Sequence, residues 1–282
     1  MEGDLLHMLR LEGKVALVTG AARGQGRSHA LRMAEEGANI IAVDLCDQIS
    51  TVPYDMSDHN DLHETGRLVE EYGRRVITAV CDVRDSDSLR STVARCVQDL
   101  GRLDIVCANA GIWSAGGVRD LTVDSWNDMI SVNLTGVFNT AQATVEHLIA
   151  AGGGSFIATS SVFGLKGRGG IAHYASSKHG VTGLARDMAG ELAPFSIRVN
   201  SIHPGGVRTP MVENEHLFRL FRPDLDHPGW DDVKETLSSM NALPIDSIPV
   251  QDISNLVLFL ASDESRYITG TSIPVDAGFV HL

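Results

Sequence analysis

The chain contains no apolar run approaching the roughly 20 residues that a membrane-spanning helix needs. Basic surface is also scarce: 23 lysines and arginines stand against 36 acidic residues, a net charge of −13. Nucleic acid and anionic membrane both select for positive surface, so neither is expected as a partner. The four cysteines, Cys46, Cys81, Cys96 and Cys107, lie far apart, with neither zinc-site spacing nor a redox pair. Such usage points to a reducing cytoplasm as the location. The 11 histidines include no His-Glu-x-x-His arrangement, and no metal site is expected. The opening Met1-Glu2-Gly3-Asp4 is acidic and the first strand follows closely, so no secretory signal is expected there.

What is present is a regular alternation. The 282 residues, 43% of them hydrophobic, suit one large α/β domain spanning 1–282. Val15–Val18 is a short continuous apolar run, as a strand buried on both faces requires. Further strands are expected at Asn39–Val43, Val76–Val80, Leu103–Cys107, Ser155–Thr159, Ile197–Ile202 and Ser272–Val275. Helical patterns fall between them: Gly24–Glu36, Asp61–Tyr72, Ser86–Leu100, Asp124–Ala150, about Ile171–Leu192, and Asp252–Ala261. This order predicts a doubly wound parallel sheet of about seven strands with helices on both faces. Two stretches break the rhythm. About 45–60 is a long connection after the second strand, and about 205–247 is Pro-rich and irregular.

Gly20, Gly24 and Gly26 follow the first strand and open the first helix, with Arg23 and Gln25 between them. Glycines there allow a tight turn and let backbone N–H groups approach a phosphate. A plain glycine turn is the alternative. Asp44 ends the second strand, 24 residues after Gly20, where a carboxylate can accept both hydroxyls of an adenosine ribose and repel a 2′-phosphate. Arg23 acts in the opposite sense, since it can pair with such a phosphate. Asp44 is expected to prevail, because the strand end lies at the ribose and arginine can swing away.

Tyr174 and Lys178 stand four residues apart and share a helix face. A tyrosine is a poor base near neutrality, but a nearby ammonium favours its phenolate. Ser161, 13 residues before Tyr174, ends a strand and can hold a substrate oxygen. Asn133 falls mid-helix on a face with Met129, Val137 and Thr140, and a polar group there needs a partner. Singly, each has a bland reading, as a surface pair or a satisfied core amide; together they form a catalytic constellation.

The chain resembles the classical short-chain dehydrogenase/reductases along almost its whole length. Thr19–Gly26 is similar to that family's glycine motif, Asp82-Val83 to its adenine contact, Asn109-Ala110-Gly111 to its Asn-Ala-Gly segment, and Pro204-Gly205 with Val207 and Thr209 to its nicotinamide segment. The resemblance implies a Rossmann-type fold and NAD as cofactor, held by Gly20, Arg23, Gly24, Gln25, Gly26, Asp44, Leu45, Asp82, Val83, Asn109, Ala110, Gly111, Tyr174, Lys178, Pro204, Gly205, Val207 and Thr209. It implies Asn133, Ser161, Tyr174 and Lys178 as the catalytic set: Tyr174 the acid/base, Lys178 its modulator, Ser161 the polariser of the substrate oxygen, and Asn133 acting on Lys178 through a water. A homotetramer is implied too, with the long helices Asp124–Ala150 and Ile171–Leu192 pairing across a two-fold axis and the C-terminal strand forming a second interface.

A narrower likeness joins the Gly-Gln-Gly text, the segment after Asp44, His203–Val207 and the ending Pro274–Phe279 to the carveol dehydrogenase, or mycofactocin-coupled, subfamily. There the extra segment covers the NAD, and an external redox carrier reoxidises it. In this chain the segment is read either as such a lid or as a surface insertion. The expected substrate is a small hydrophobic secondary alcohol or ketone, with candidate walls at Trp113, Phe163, Met211, Leu217, Phe218, Phe221, Trp230 and Met240. Two alternatives stand beside it: a ketoacyl-type reductase using free NAD(P)H, and a non-enzymatic NAD-binding regulator.

Overall fold

The computed structural model describes residues 9–281; the acidic opening Met1–Asp4 and the final Leu282 lie outside them. Seven strands form one parallel sheet: β1 (Val15–Thr19), β2 (Asn39–Asp44), β3 (Val76–Val80), β4 (Ile105–Ala108), β5 (Gly154–Thr159), β6 (Ile197–Pro204) and β7 (Ser272–Val275). Their order is β3-β2-β1-β4-β5-β6-β7. The winding reverses between β1 and β4, which leaves a crevice at the carboxyl ends of those two strands.

The continuous apolar run of β1 is explained by burial on both faces. Val15 and Leu17 belong to one core, Ala16 and Val18 to the other. Helices α1 (Gly24–Glu35), α2 (His59–Glu70) and α9 (Val250–Ala261) cover the second core. Helix α3 (Ser86–Leu100), with α4 (Val123–Ile130), α5 (Gly136–Ala150) and α6 (Ala172–Leu192), covers the first. Short polar side chains set the starts. Asp58 caps α2 and exchanges a reciprocal bond with Asp61, Asp85 caps α3, and Thr122 caps α4. Gly101, at φ 89°, ends α3 in the left-handed conformation that glycine adopts without strain.

Two expectations need correction. The single helix expected over Asp124–Ala150 is two helices joined by a π-turn at Ser131–Thr135. Apolar periodicity barely registers one wider turn. It forms because Asn133 is pulled into backbone bonds with a neighbouring segment. The irregular 205–247 stretch contains α7 (Glu215–Phe221) and α8 (Trp230–Ser239). Asn214 caps α7 and Asp232 accepts from the Gly229 amide at the start of α8. Leu217, Phe218 and Val233 give this pair a small core of its own. Helices this short offer too few turns to establish a period.

Candidate active site

One cavity of about 440 Å³ runs along the carboxyl ends of the strands. At one end lies the turn from β1 into α1. Gly20 and Gly24 have φ of 66° and 56°. A Cβ on Gly26 would stand 1.9 Å from the Gly20 carbonyl oxygen, and one on Gly20 would stand 2.8 Å from Ala110 Cα. Only glycine permits this approach, which brings the loop's backbone to the crevice. Thr19 ties the neighbouring segment down: its Oγ1 accepts from the amides of Asn109 (3.0 Å) and Ala110 (3.1 Å). Asn109 Nδ2 donates in return to the Thr19 carbonyl.

Asp44, at the end of β2, is held in place. Its Oδ2 accepts from the Ala22 amide at 2.9 Å; its Oδ1 accepts from Ser57 Oγ at 2.8 Å and the Cys46 amide at 3.2 Å. Leu45, Asp82 and Val83 line the cavity beside it. The Asp82 carboxylate accepts hydrogen bonds from Nε and Nη2 of Arg84, which also reaches Asp128. Arg23 lines the cavity as well, and its guanidinium donates to the Asp55 carbonyl.

The 45–60 segment folds over this end. The Gln48 side chain organises it, donating to the carbonyls of Ile49, Val52 and Tyr54 at 3.2 Å and accepting from the Met56 amide at 2.9 Å. Ile49 and Val52 are buried in the core that also holds Val15 and Leu17. Thr51 donates to Asp128, and the Tyr54 hydroxyl accepts from the Trp113 amide at 3.1 Å. The segment thus spans the cavity from Asp44 to Trp113, and its last residues, Asp58–Asn60, belong to the cap and first turn of α2.

The catalytic candidates converge at the middle. Tyr174 and Lys178 lie one turn apart on α6, with Lys178 Nζ 5.7 Å from the centre of the Tyr174 ring. Both are buried. Lys178 Nζ donates to the Thr159 carbonyl at 2.9 Å. Burial pushes the Lys178 ammonium down to about 8 and the Tyr174 phenol up, while a hydrogen bond with Ser161 draws the phenol back. Ser161 starts the turn after β5, and its Oγ also accepts from the Phe163 amide.

Asn133 is fully buried and stands behind the cavity wall. Its Oδ1 accepts from the Ile112 amide at 2.8 Å and its Nδ2 donates to the Ile112 carbonyl at 3.0 Å and Ser177 Oγ at 3.3 Å. A Cβ on Gly111 would meet Asn133 Oδ1 at 3.3 Å and Lys178 Nζ at 3.5 Å, so a bare backbone separates the two. Pro204, Gly205, Val207 and Thr209 leave β6 along the same cavity. The other named cofactor residues, Gly24, Gln25 and Gly111, line it too.

The far end is apolar. Trp113, Phe163, Met211, Leu217, Phe221 and Met240 line it as expected. Phe218 and Trp230 do not. They pack on each other at 6.1 Å inside the small α7–α8 core, with Arg208 over the Trp230 ring. Sequence reasoning missed Phe279, which stands 5.5 Å edge-on to Phe163, and Arg168. It also missed Gln48 and Ser57. Phe279 belongs to a recognisable ending; nothing in the local pattern marks the others.

The family profile described as short chain dehydrogenase matches residues 14–219. A (−)-trans-carveol dehydrogenase of Rhodococcus erythropolis is 50% identical over 273 residues, covering 96% of this chain and 99% of its own. A crystal structure of carveol dehydrogenase from Mycobacterium avium in complex with NAD shares 51% identity, with a TM-score of 0.95, over 97% of this chain and 99% of that one. A short chain dehydrogenase from Mycobacterium paratuberculosis bound to NAD shares 46% identity, with a TM-score of 0.89, over 97% and 100%. With the parallel sheet, the glycine turn and the Ser161–Tyr174–Lys178 cluster already in place, these likenesses establish that the chain belongs to the short-chain dehydrogenase family.

Proposed function

We propose that the protein is an NAD-dependent dehydrogenase of hydrophobic, carveol-like secondary alcohols, with Tyr174 as its acid/base. One observation carries the reading. A buried phenol and a buried ammonium, 5.7 Å from ring centre to Nζ, share a cavity whose other end is closed by glycine backbone and Asp44. The glycine approach fits a pyrophosphate, and Asp44 fits a ribose without a 2′-phosphate. NAD, when bound, supplies the hydride acceptor.

The chain's own residues handle the proton and the substrate. Ser161 holds the substrate oxygen against the Tyr174 phenol. Tyr174 Oη takes the hydroxyl proton on oxidation and returns it on reduction. Lys178 keeps its charge beside the ring below about pH 8 and thereby favours the phenolate against the effect of burial. Asn133 steadies Ile112 and α6 behind the cavity wall, and a water between it and Lys178 would extend the proton path. The apolar far end suits a terpene-like ring. The folded 45–60 segment supports a cofactor that exchanges slowly and is reoxidised in place by an external redox carrier, the mycofactocin-type arrangement.

Tyr174→Phe tests the assignment. Turnover of carveol, followed through NADH absorbance, should fall at least about a hundredfold. NAD binding and the melting temperature should stay near wild type. A variant with wild-type kcat would remove Tyr174 from the mechanism.

A further inference from the structure

The cavity that holds the proposed alcohol carries one charge that the dehydrogenase reading leaves unused. Its acids, Asp44 and Asp82, both sit at the adenosine end. Of its bases, Arg23 is bonded to the Asp55 carbonyl and Lys178 to the Thr159 carbonyl. The remaining one is Arg168, on the glycine-flanked loop Gly167–Gly170 between the Ser161 turn and the Tyr174 helix.

Arg168 is braced from the apolar side. Its guanidinium carbon lies 5.5 Å over the Phe221 ring, and Nη1 donates to the Met240 sulfur at 3.7 Å. Among the described residues it forms no ion pair, whereas Arg208 and Arg222 each hold a carboxylate, Glu213 and Asp224. Stacking on a ring engages the face of a guanidinium and leaves its N–H edge available. Arg168 is exposed and a thioether is a weak acceptor, so most of its five donors face solvent and are free to take an anion. The loop holds its place because the Gly170 carbonyl accepts from the Gly116 amide at 2.8 Å.

We infer that Arg168 is a specificity-determining residue and that the substrate class includes ring alcohols bearing a carboxylate remote from the carbinol. The inference rests on the dehydrogenase reading. The ring lies among Phe163, Phe221 and Phe279, the hydroxyl meets Tyr174 and Ser161, and the carboxylate meets the Arg168 fork. A chain of net charge −13 repels anions at long range, so a local guanidinium is what such a substrate requires. Arginine suits the task because its planar fork matches a carboxylate bidentately.

The test compares two cyclohexanols that differ only at ring position four, one with a carboxylate and one with a methyl group. Arg168→Met keeps the apolar stem against Phe221 and removes the charge. It should lower kcat/KM for the carboxylate substrate by about tenfold to a hundredfold, through KM, and leave the methyl substrate within about twofold. Arg168→Lys should fall between, and rising salt should weaken only the carboxylate substrate. Equal losses on both substrates, or no loss on the carboxylate, would overturn the inference. Calorimetric binding of cyclohexanecarboxylate to the NAD-loaded protein separates it from the reading beneath it. If the wild-type protein oxidises neither these alcohols nor carveol, the dehydrogenase reading fails. A tenfold weaker Kd in Arg168→Met then still supports the Arg168 site, and an unchanged Kd overturns it.

Discussion

At the scale of single residues, Asp44 and His29 show two uses of a buried polar group. Asp44 has its carboxylate pinned by Ser57 and two amides, so it meets the cofactor end already oriented. Arg23, the residue that could welcome a 2′-phosphate, is engaged with Asp55. Asp44→Ala should therefore narrow the preference for NAD over NADP, measured as the ratio of kcat/KM values, by about tenfold to a hundredfold; this corresponds to losing a hydrogen bond to a charged acceptor. A wild-type preference for NADP would refute it. His29, on α1, is wholly buried, with Nδ1 2.8 Å from Ser254 Oγ on α9 and no partner at Nε2 among the described residues. Burial pushes its pKa from 6.5 to about 3. The folded state refuses a proton that the unfolded chain binds between those values. The stabilisation is thus complete above about 6.5 and is lost as pH falls toward 3. From pH 7 to pH 5 this group alone accounts for about 2 kcal/mol, at 1.36 kcal/mol per pK unit. His29→Gln should flatten the fall of denaturation midpoint with pH over that range. An unchanged slope would show that the other buried histidines, His173 and His203, carry it.

Single elements position what the residues do. The π-turn at Ser131–Thr135 places Asn133 against Ile112 and Ser177, and so links the segment after β4 to the helix that carries Tyr174 and Lys178. The 45–60 segment is a folded strap, with Gln48 closing it through four bonds and Tyr54 fastening it near Trp113. Its last step, Ser57 to Asp44, joins the strap to the carboxylate at the end of β2. Opening it must precede release of a molecule held beneath. Gln48→Ala removes all four bonds and should raise the NAD off-rate by about tenfold, with a smaller effect on the on-rate. Exchange of isotope-labelled NAD into wild type and variant measures this. Complete exchange within seconds in the wild type would reduce the strap to a surface insertion.

For the whole molecule, two large exposed rings stand on the helices α4 and α5. Trp126 on α4 is 41% exposed and Phe138 on α5 is 45% exposed. Rings at that level of exposure favour cover by another chain. The ending from Ile273 onward carries a single charged residue, Asp276, whose carboxylate accepts from the Gly278 and Val280 amides. Both regions are where the family resemblance puts subunit contacts, and a homotetramer is the expected assembly. Light scattering at micromolar concentration that returns the mass of one chain would refute it. Among the described residues no helix is long and apolar enough to cross a membrane.

The sequence by itself determined the sheet, because a strand buried on both faces must be a continuous apolar run and Val15–Val18 is one. It determined the glycine turn, because only residues without a Cβ allow Gly26 so near the Gly20 carbonyl. It also marked Tyr174 and Lys178 as a pair, since four residues along a helix return to the same face. Local spacing carries each of these. The tertiary structure alone decided which side of the cavity each aromatic ring faces. Phe218 and Trp230 turned inward to cover Val233, and Phe279 came forward from the other end of the chain. It decided that one turn of the helix widens at Asn133, which stands behind the wall, since its partner Ile112 is 21 residues away. It decided, too, that Arg168 has a phenyl ring beneath it and no carboxylate beside it among the described residues. Contacts between segments far apart in the chain leave no period in either one, and so are readable only after the chain has packed.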